Sequence, residues 1–194
     1  MNQSCIRTFT GRYFDVLNPK AEDICIEDIA HALANQCRFT GHTRVFYSVA
    51  EHSVRASKLV PAYEALSALL HDSTEAYLVD LARPVKHHTP IGPVFRSMEH
   101  RIWLAIAEKF ALPVELSLDI HRADNIMLAT EKRDLMTHNG GDDAYLTTHV
   151  LGDNIQPLED HIIPVAMPFQ AADMFLQRYR ALTGGVYAVD RNRQ

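Results

Sequence analysis

The sequence predicts an all-α fold, a compact single-domain helical bundle. Three observations carry this: apolar residues recur at helical spacing in one segment after another, strand-type alternation is nearly absent, and prolines and glycines punctuate the periodic segments. At 194 residues, with 47% hydrophobic and 22% charged side chains, the chain suits one domain long enough to bury a sizeable core.

Taken in order, residues 1–23 read as irregular or extended, with Gly11 and Asn18-Pro19 turning the chain and Phe9, Tyr13 and Phe14 anchoring it. Ile26, Ile29, Ala30 and Leu33 have helical spacing and place a first helix that runs to about Asn35. Gly41 marks a break, and a second helix is expected from about Val45 to Leu59. Pro61 ends it and opens a third, residues 62–78, AYEALSALLHDSTEAYL, by the preference of proline for a first turn. Residues 79–93, rich in proline and in basic and imidazole side chains, read as a loop. A long amphipathic helix is expected from about Val94 to Phe110, with Met98, Ile102, Ala105 and Ile106 on its apolar side and Trp103 adjacent. Leu112-Pro113 breaks it, and another helix runs from about Val114 or Leu118 to Met136. The Gly140-Gly141 pair and the Pro157/Pro164 segment suggest a long irregular stretch. Pro168 starts a last helix, whose Ala172, Phe175, Leu176 and Tyr179 repeat at helical spacing and whose terminator is Gly184. No internal repeat or second-domain boundary is evident.

Composition narrows the function. A net charge of −5 argues against binding to a nucleic-acid polymer, which relies on a basic field. Cys5, Cys25 and Cys37 are odd in number and lack C-x-x-C spacing, so reduced thiols in a cytoplasm fit better than a disulfide framework. The start of the chain has no signal-peptide core, and no uncharged apolar run is long enough to span a bilayer. The expectation is a soluble cytoplasmic protein.

The chemistry centres on residues 62–78. A helix turns about 100° per residue, so with His71 as origin Glu75 falls at about 40° and Asp72 at about 100°. All three fall on one side, within about 100°, of a helix that is otherwise apolar nearly all round and therefore buried. Glu64, near the helix start, is the exception. Two other helices carry polar residues in apolar stripes. His52 lies among Val45, Val49, Ala56 and Leu59; Asp124 lies among Ile120, Met127, Leu128 and Leu135, with His121 and Glu131 on the same side. An unpaired carboxylate in such a stripe costs several kcal/mol, so something cationic should face Asp124. Singly, each residue reads as a hydrogen-bonded core group. Together, two imidazoles and two carboxylates from three buried helices suit a divalent transition metal.

At these residues the sequence resembles a known family. His52, the pair His71-Asp72, and Asp124 within RADNIMLATEKRDL are similar to the H…HD…D signature of HD-domain metal-dependent phosphohydrolases. HDSTEAYLVDLARPVKH resembles the corresponding run of bacterial 5′-deoxynucleotidases and of phage-type HD hydrolases, including dATP triphosphohydrolases. RFTGHTRVFYSVAEHS resembles the phage-type segment around the first ligand. The resemblance covers about residues 24–136, and the gap between His52 and His71 is shorter than in some relatives. It implies one HD-type domain over residues 1–194 and a single divalent ion (Co, Mn, Zn or similar) held by His52, His71, Asp72 and Asp124. It also implies catalytic acids at Glu75 and Asp80, phosphate contacts from Arg38 and Lys86, and a base-stacking aromatic at Phe39. Relatives form dimers or larger rings, which implies a homo-oligomer.

The implied reaction is attack on the α-phosphorus of a 2′-deoxynucleotide. A metal lowers the pKa of its water to about 7 and polarises the phosphoryl oxygen. Glu75 would hold or deprotonate that water. Asp80 would orient it or protonate the departing deoxyribose oxygen, while Arg38 and Lys86 stabilise the charge of transfer. The positive cluster Arg83, Lys86, His87 and His88 favours a deoxynucleoside triphosphate over a monophosphate, and the resemblance implies dATP. A non-catalytic HD-fold nucleotide sensor is the reading from another class. No G-x-S-x-G elbow and no Walker-type loop supports a serine hydrolase or a P-loop NTPase. His42, His100, His138, His149 and His161 read as structural or surface residues.

Overall fold

Seven α-helices and one two-stranded antiparallel hairpin form the regular structure of the computed structural model, which describes residues 4–137 and 155–185. The fold is all-α, as the periodicity predicts. His138, His149 and the Gly140-Gly141 pair lie outside the described residues. No helix among the described residues is long and apolar enough to cross a membrane.

The hairpin joins β1 (Cys5–Arg7) to β2 (Tyr13–Asp15), with Ile6 opposite Phe14. Gly11 turns it at φ +85°, a backbone conformation that glycine adopts without steric cost. Phe14 is fully buried and stacks on Tyr77 at 4.0 Å between ring centres. The hairpin is tied down by Asp28, which accepts hydrogen bonds from the Thr10 backbone N–H at 2.7 Å and its hydroxyl at 2.9 Å. Asp28 belongs to α1 (Ile26–Asn35), whose Ile26, Ile29, Ala30, Leu33 and Ala34 face the core.

The second helix is shorter than its apolar pattern suggests. α2 spans Val49–Ala56, and Val45 is 52% exposed. The preceding backbone is committed elsewhere: Arg38 N–H donates to Tyr47 C=O at 3.0 Å, and Val49 N–H to Gln36 C=O at 3.1 Å. The helix begins instead at Ser48, whose hydroxyl caps it by accepting from Glu51 N–H.

The continuous helix expected over residues 62–78 is two pieces. α3 covers Ala65–Leu70, and a 3-10 turn covers Ser73–Ala76. His71 supplies a physical reason. Its Nδ1 lies 2.7 Å from the Ala68 carbonyl, the acceptor that a continuing α-helix would give to Asp72 N–H. The chain tightens at Asp72 (φ −96°, ψ 10°), and Glu75 N–H turns back to Asp72 C=O.

Within the stretch read as a loop, Pro84 sits in the first turn of a short helix, α4 (Arg83–His88). α5 (Gly92–Phe110) follows, ending at Ala111 in the left-handed conformation, φ 52°. α6 (Leu118–Leu135) is capped by Ser117. Residues 155–167 are irregular and α7 spans Pro168–Thr183, closed by Gly184 at φ +69°. α7 packs on α1, α2 and α3, and α2 also packs on α6. The main core joins α1, α2, α3, α5 and α7.

Candidate metal centre

Three elements bring the key side chains together. The capped first turn of α2 places His52 one turn in, completely buried. The break after α3 turns both His71 and Asp72 toward it. One ring nitrogen of His52, one of His71 and an Asp72 carboxylate oxygen lie within 4.8 Å of one another. Asp72 Oδ2 is 3.6 Å from His52 Nε2 and 3.3 Å from His71 Nε2. From α6, Asp124 Oδ1 reaches to 3.2 Å from His52 Nε2 and 4.0 Å from His71 Nε2. The four residues named from the sequence therefore meet, and the imidazoles are the groups that face Asp124.

The donor atoms fit a cation. His52 Nε2, His71 Nε2 and Asp72 Oδ2 are all buried and make no well-aligned hydrogen bond among the described residues, their close polar neighbours being one another and the Asp124 carboxylate. Buried polar atoms in native proteins are overwhelmingly hydrogen-bonded, so three that converge on one point without aligned bonds form a set that could hold a metal ion. The opposite nitrogens are engaged, which orients the rings: His71 Nδ1 on Ala68 C=O, and His52 Nδ1 at 2.6 Å from Glu131 Oε1. Carboxylate and carbonyl partners of this kind fix the tautomer of a ligating histidine.

Glu131 is the residue that the sequence reading left in the apolar stripe without a role. It is fully buried on α6, two helical turns beyond Asp124, and it also accepts from Arg38 Nη2 at 3.0 Å. Its spacing from Asp124 was the available signal, because residues seven apart share a helix face. Arg38 is brought to the centre, with Nη1 3.7 Å from Asp72 Oδ2. Its guanidinium lies 5.6 Å from the Phe39 ring centre. Phe39 and Thr40 both have positive φ (53° and 55°), a strained arrangement for non-glycine residues.

Charge in the cluster is strongly skewed. Burial and the Arg38 charge disfavour a protonated His52, but the Glu131 and Asp124 carboxylates outweigh them and raise its pKa to about 9. Burial pushes Asp124 up, yet the His52, His71 and Arg38 charges hold it well below the usual carboxylate range. Glu131 is likewise held down against burial by Arg38 and His52. Glu75 goes the other way: burial, then the neighbouring Asp72 and Asp80 carboxylates, raise it well above its ordinary value. Burial also raises Asp80.

Glu75 and Asp80 are linked by a residue the sequence reading did not name. Gln36, just after α1, donates from Nε2 to Glu75 C=O at 2.9 Å and accepts from Asp80 N–H at 3.0 Å. No sequence signal marks it, since its bonds go to backbone atoms roughly forty positions away.

Lys86 is paired with Glu99 of α5, Nζ to Oε1 2.6 Å. The two line a cavity of about 300 Å³ that His71 also borders, along with Trp103, Val114 and Leu116. His100 and His121 line it too, the former read from sequence as a structural or surface residue. Arg83, His87 and His88 are exposed on α4.

No protein-family model matches the chain. It is 42% identical over 180 residues to the uncharacterised protein YfdR of Escherichia coli (strain K12), covering 93% of this chain and 96% of YfdR. It is 39% identical over 132 residues to the uncharacterised protein RCAP_rcc00048 of Rhodobacter capsulatus, covering 63% of this chain and 66% of that protein.

Proposed function

We propose that this chain, which belongs to one family with Escherichia coli YfdR, is a divalent-metal-dependent phosphohydrolase of the HD type acting on 2′-deoxynucleotides. The observation that carries the reading is the convergence of buried donor atoms on His52, His71 and Asp72, with Asp124 facing both imidazoles.

His52, His71, Asp72 and Asp124 would hold the ion. When bound, such an ion polarises a phosphoryl oxygen and acidifies water. The chain's own groups supply the proton traffic. Water adds to the α-phosphorus, the bond from phosphorus to the 5′ oxygen breaks, and a proton must leave the water and reach the departing oxygen. Glu75, made basic by burial and by Asp72 and Asp80, suits the first transfer. Asp80, raised by burial, suits the second. Arg38 faces the centre as a fixed positive charge.

One observation bears on the length of the phosphate chain. The triphosphate expectation rested on Arg83, Lys86, His87 and His88. Lys86 is engaged by Glu99, which removes one free cation from that cluster, and on this ground the monophosphate is put first as substrate and the triphosphate second. Incubating the protein with Mn²⁺ or Co²⁺ and single deoxynucleotides, then separating products, tests both. Deoxynucleoside plus inorganic phosphate from monophosphates is the expected result. Release of inorganic triphosphate would restore the triphosphate reading, and no turnover of either would remove the nucleotide assignment. Glu75→Ala should abolish turnover and leave metal binding intact; turnover at the original rate would sink its role, and a wild-type chain that binds nucleotide without turnover would be a sensor.

A further inference from the structure

We propose that the cavity bordered by His71, Trp103, Val114 and Leu116 is the subsite for the sugar and base of the nucleotide, with the phosphate at the adjoining metal centre. The inference rests on the phosphohydrolase reading for the position of the phosphate and adds where the rest of the substrate lies.

Three observations place the nucleoside there. His71 belongs both to the cluster of buried donors and to the cavity wall, so a ligand whose phosphate meets the cluster has this space beside it. The volume of about 300 Å³ is at the lower end of that used by small-molecule sites, about 300–1,000 Å³. The chemistry of the wall separates a nucleoside from a phosphate chain. Trp103, Val114 and Leu116 offer apolar and aromatic surface, on which a flat heterocycle is favourably buried. Lys86 is neutralised by Glu99 at 2.6 Å, and the remaining lining side chains bring no further carboxylate, lysine or arginine. A polyanionic tail would meet one compensated cation, one carboxylate and the imidazoles of His71, His100 and His121, which carry charge only when protonated. Phe39, the residue that resemblance marks for stacking, is not among the lining residues and lies instead beside Arg38.

Trp103 is the single tryptophan of the chain, so all indole fluorescence comes from one residue on the wall of this cavity. The test titrates 2′-deoxyadenosine, thymidine and the other deoxynucleosides into metal-stripped protein, exciting at the red edge of the indole band, with inorganic phosphate and tripolyphosphate as separate probes. A saturable change with at least one deoxynucleoside, and none with either inorganic anion, is expected. Val114→Phe, at a half-exposed loop position, narrows the space without adding a second indole and should weaken that binding about tenfold or more, with an unchanged melting temperature showing the fold intact. No saturable response to any deoxynucleoside, a saturable response to tripolyphosphate, or Val114→Phe binding at wild-type strength would each overturn the assignment. Because the titration needs neither metal nor turnover, a chain that binds deoxynucleosides and hydrolyses nothing would fail as a phosphohydrolase while keeping this cavity's ligand.

Discussion

Glu131 is where a small chemical change should have the largest readable effect. Its side chain is completely buried, with one oxygen 2.6 Å from His52 Nδ1 and the other 3.0 Å from Arg38 Nη2. Glu131→Gln keeps the shape but replaces one acceptor by an NH₂ group. Whichever way the amide turns, a donor then faces a donor, at either the imidazole or the guanidinium. A lost charge-assisted hydrogen bond costs about 1.5–3 kcal/mol, and a buried charge deprived of its partner raises that to about 3–5 kcal/mol. Arg38 retains Asp72 at 3.7 Å, so a loss of about 3 kcal/mol is expected. The same change weakens the hold on the His52 ring and should lower metal affinity about 10- to 100-fold. Denaturant unfolding of the metal-stripped protein and calorimetric titration with Mn²⁺ measure the two effects. Acid titration adds a sign: Glu131 is held below its ordinary pKa. Its contribution is therefore full above the ordinary glutamate range, about 4.3, and is lost as pH falls through the folded value. An E131Q protein with wild-type unfolding midpoint and wild-type Mn²⁺ affinity would refute the assigned role.

The remaining predictions concern neighbouring parts of the same architecture. With no ion bound, the His52 pKa of about 9 stabilises the fold fully below about 6.5, and that contribution fades as pH rises through 9. Ligation needs the unprotonated nitrogen, so metal affinity should climb over the same window; an affinity flat from about pH 6.5 to 9 would contradict it. Gln36→Leu removes both side-chain bonds to the segment carrying Glu75 and Asp80. It should depress kcat about tenfold or more with metal affinity intact, and an unchanged kcat would show that the segment holds itself in place. A Cβ at Gly92 would lie 2.0 Å from the Lys86 carbonyl oxygen, so Gly92→Ala should cost about 1–3 kcal/mol by forcing α4 and α5 apart. An unshifted melting temperature would mean the approach is looser than the structure has it.

The helices that run uninterrupted were legible in the chain. Ile26, Ile29, Ala30 and Leu33 mark α1 to its final residue, and Pro168 and Gly184 bracket α7. These signals are local, arising from side-chain period and from the backbone restrictions of proline and glycine. Where backbone groups were claimed by distant or side-chain partners, the same reasoning overshot. It extended α2 to Val45, whose neighbourhood is tied to Cys37 and Arg38. It also carried one helix through His71 and Asp72, where the imidazole takes the Ala68 carbonyl.

The candidate metal centre followed the same division. By itself the chain determined that His52, His71, Asp72 and Asp124 needed a shared partner, because polar groups in apolar stripes carry a desolvation cost that only convergence relieves. Tertiary structure alone decided what surrounds them: Glu131 on the back of His52, Gln36 holding two backbone segments, Glu99 neutralising Lys86, and a cavity beside His71. Each of these depends on where separate elements come to rest against one another, and no period within a single helix encodes the distance to its neighbour.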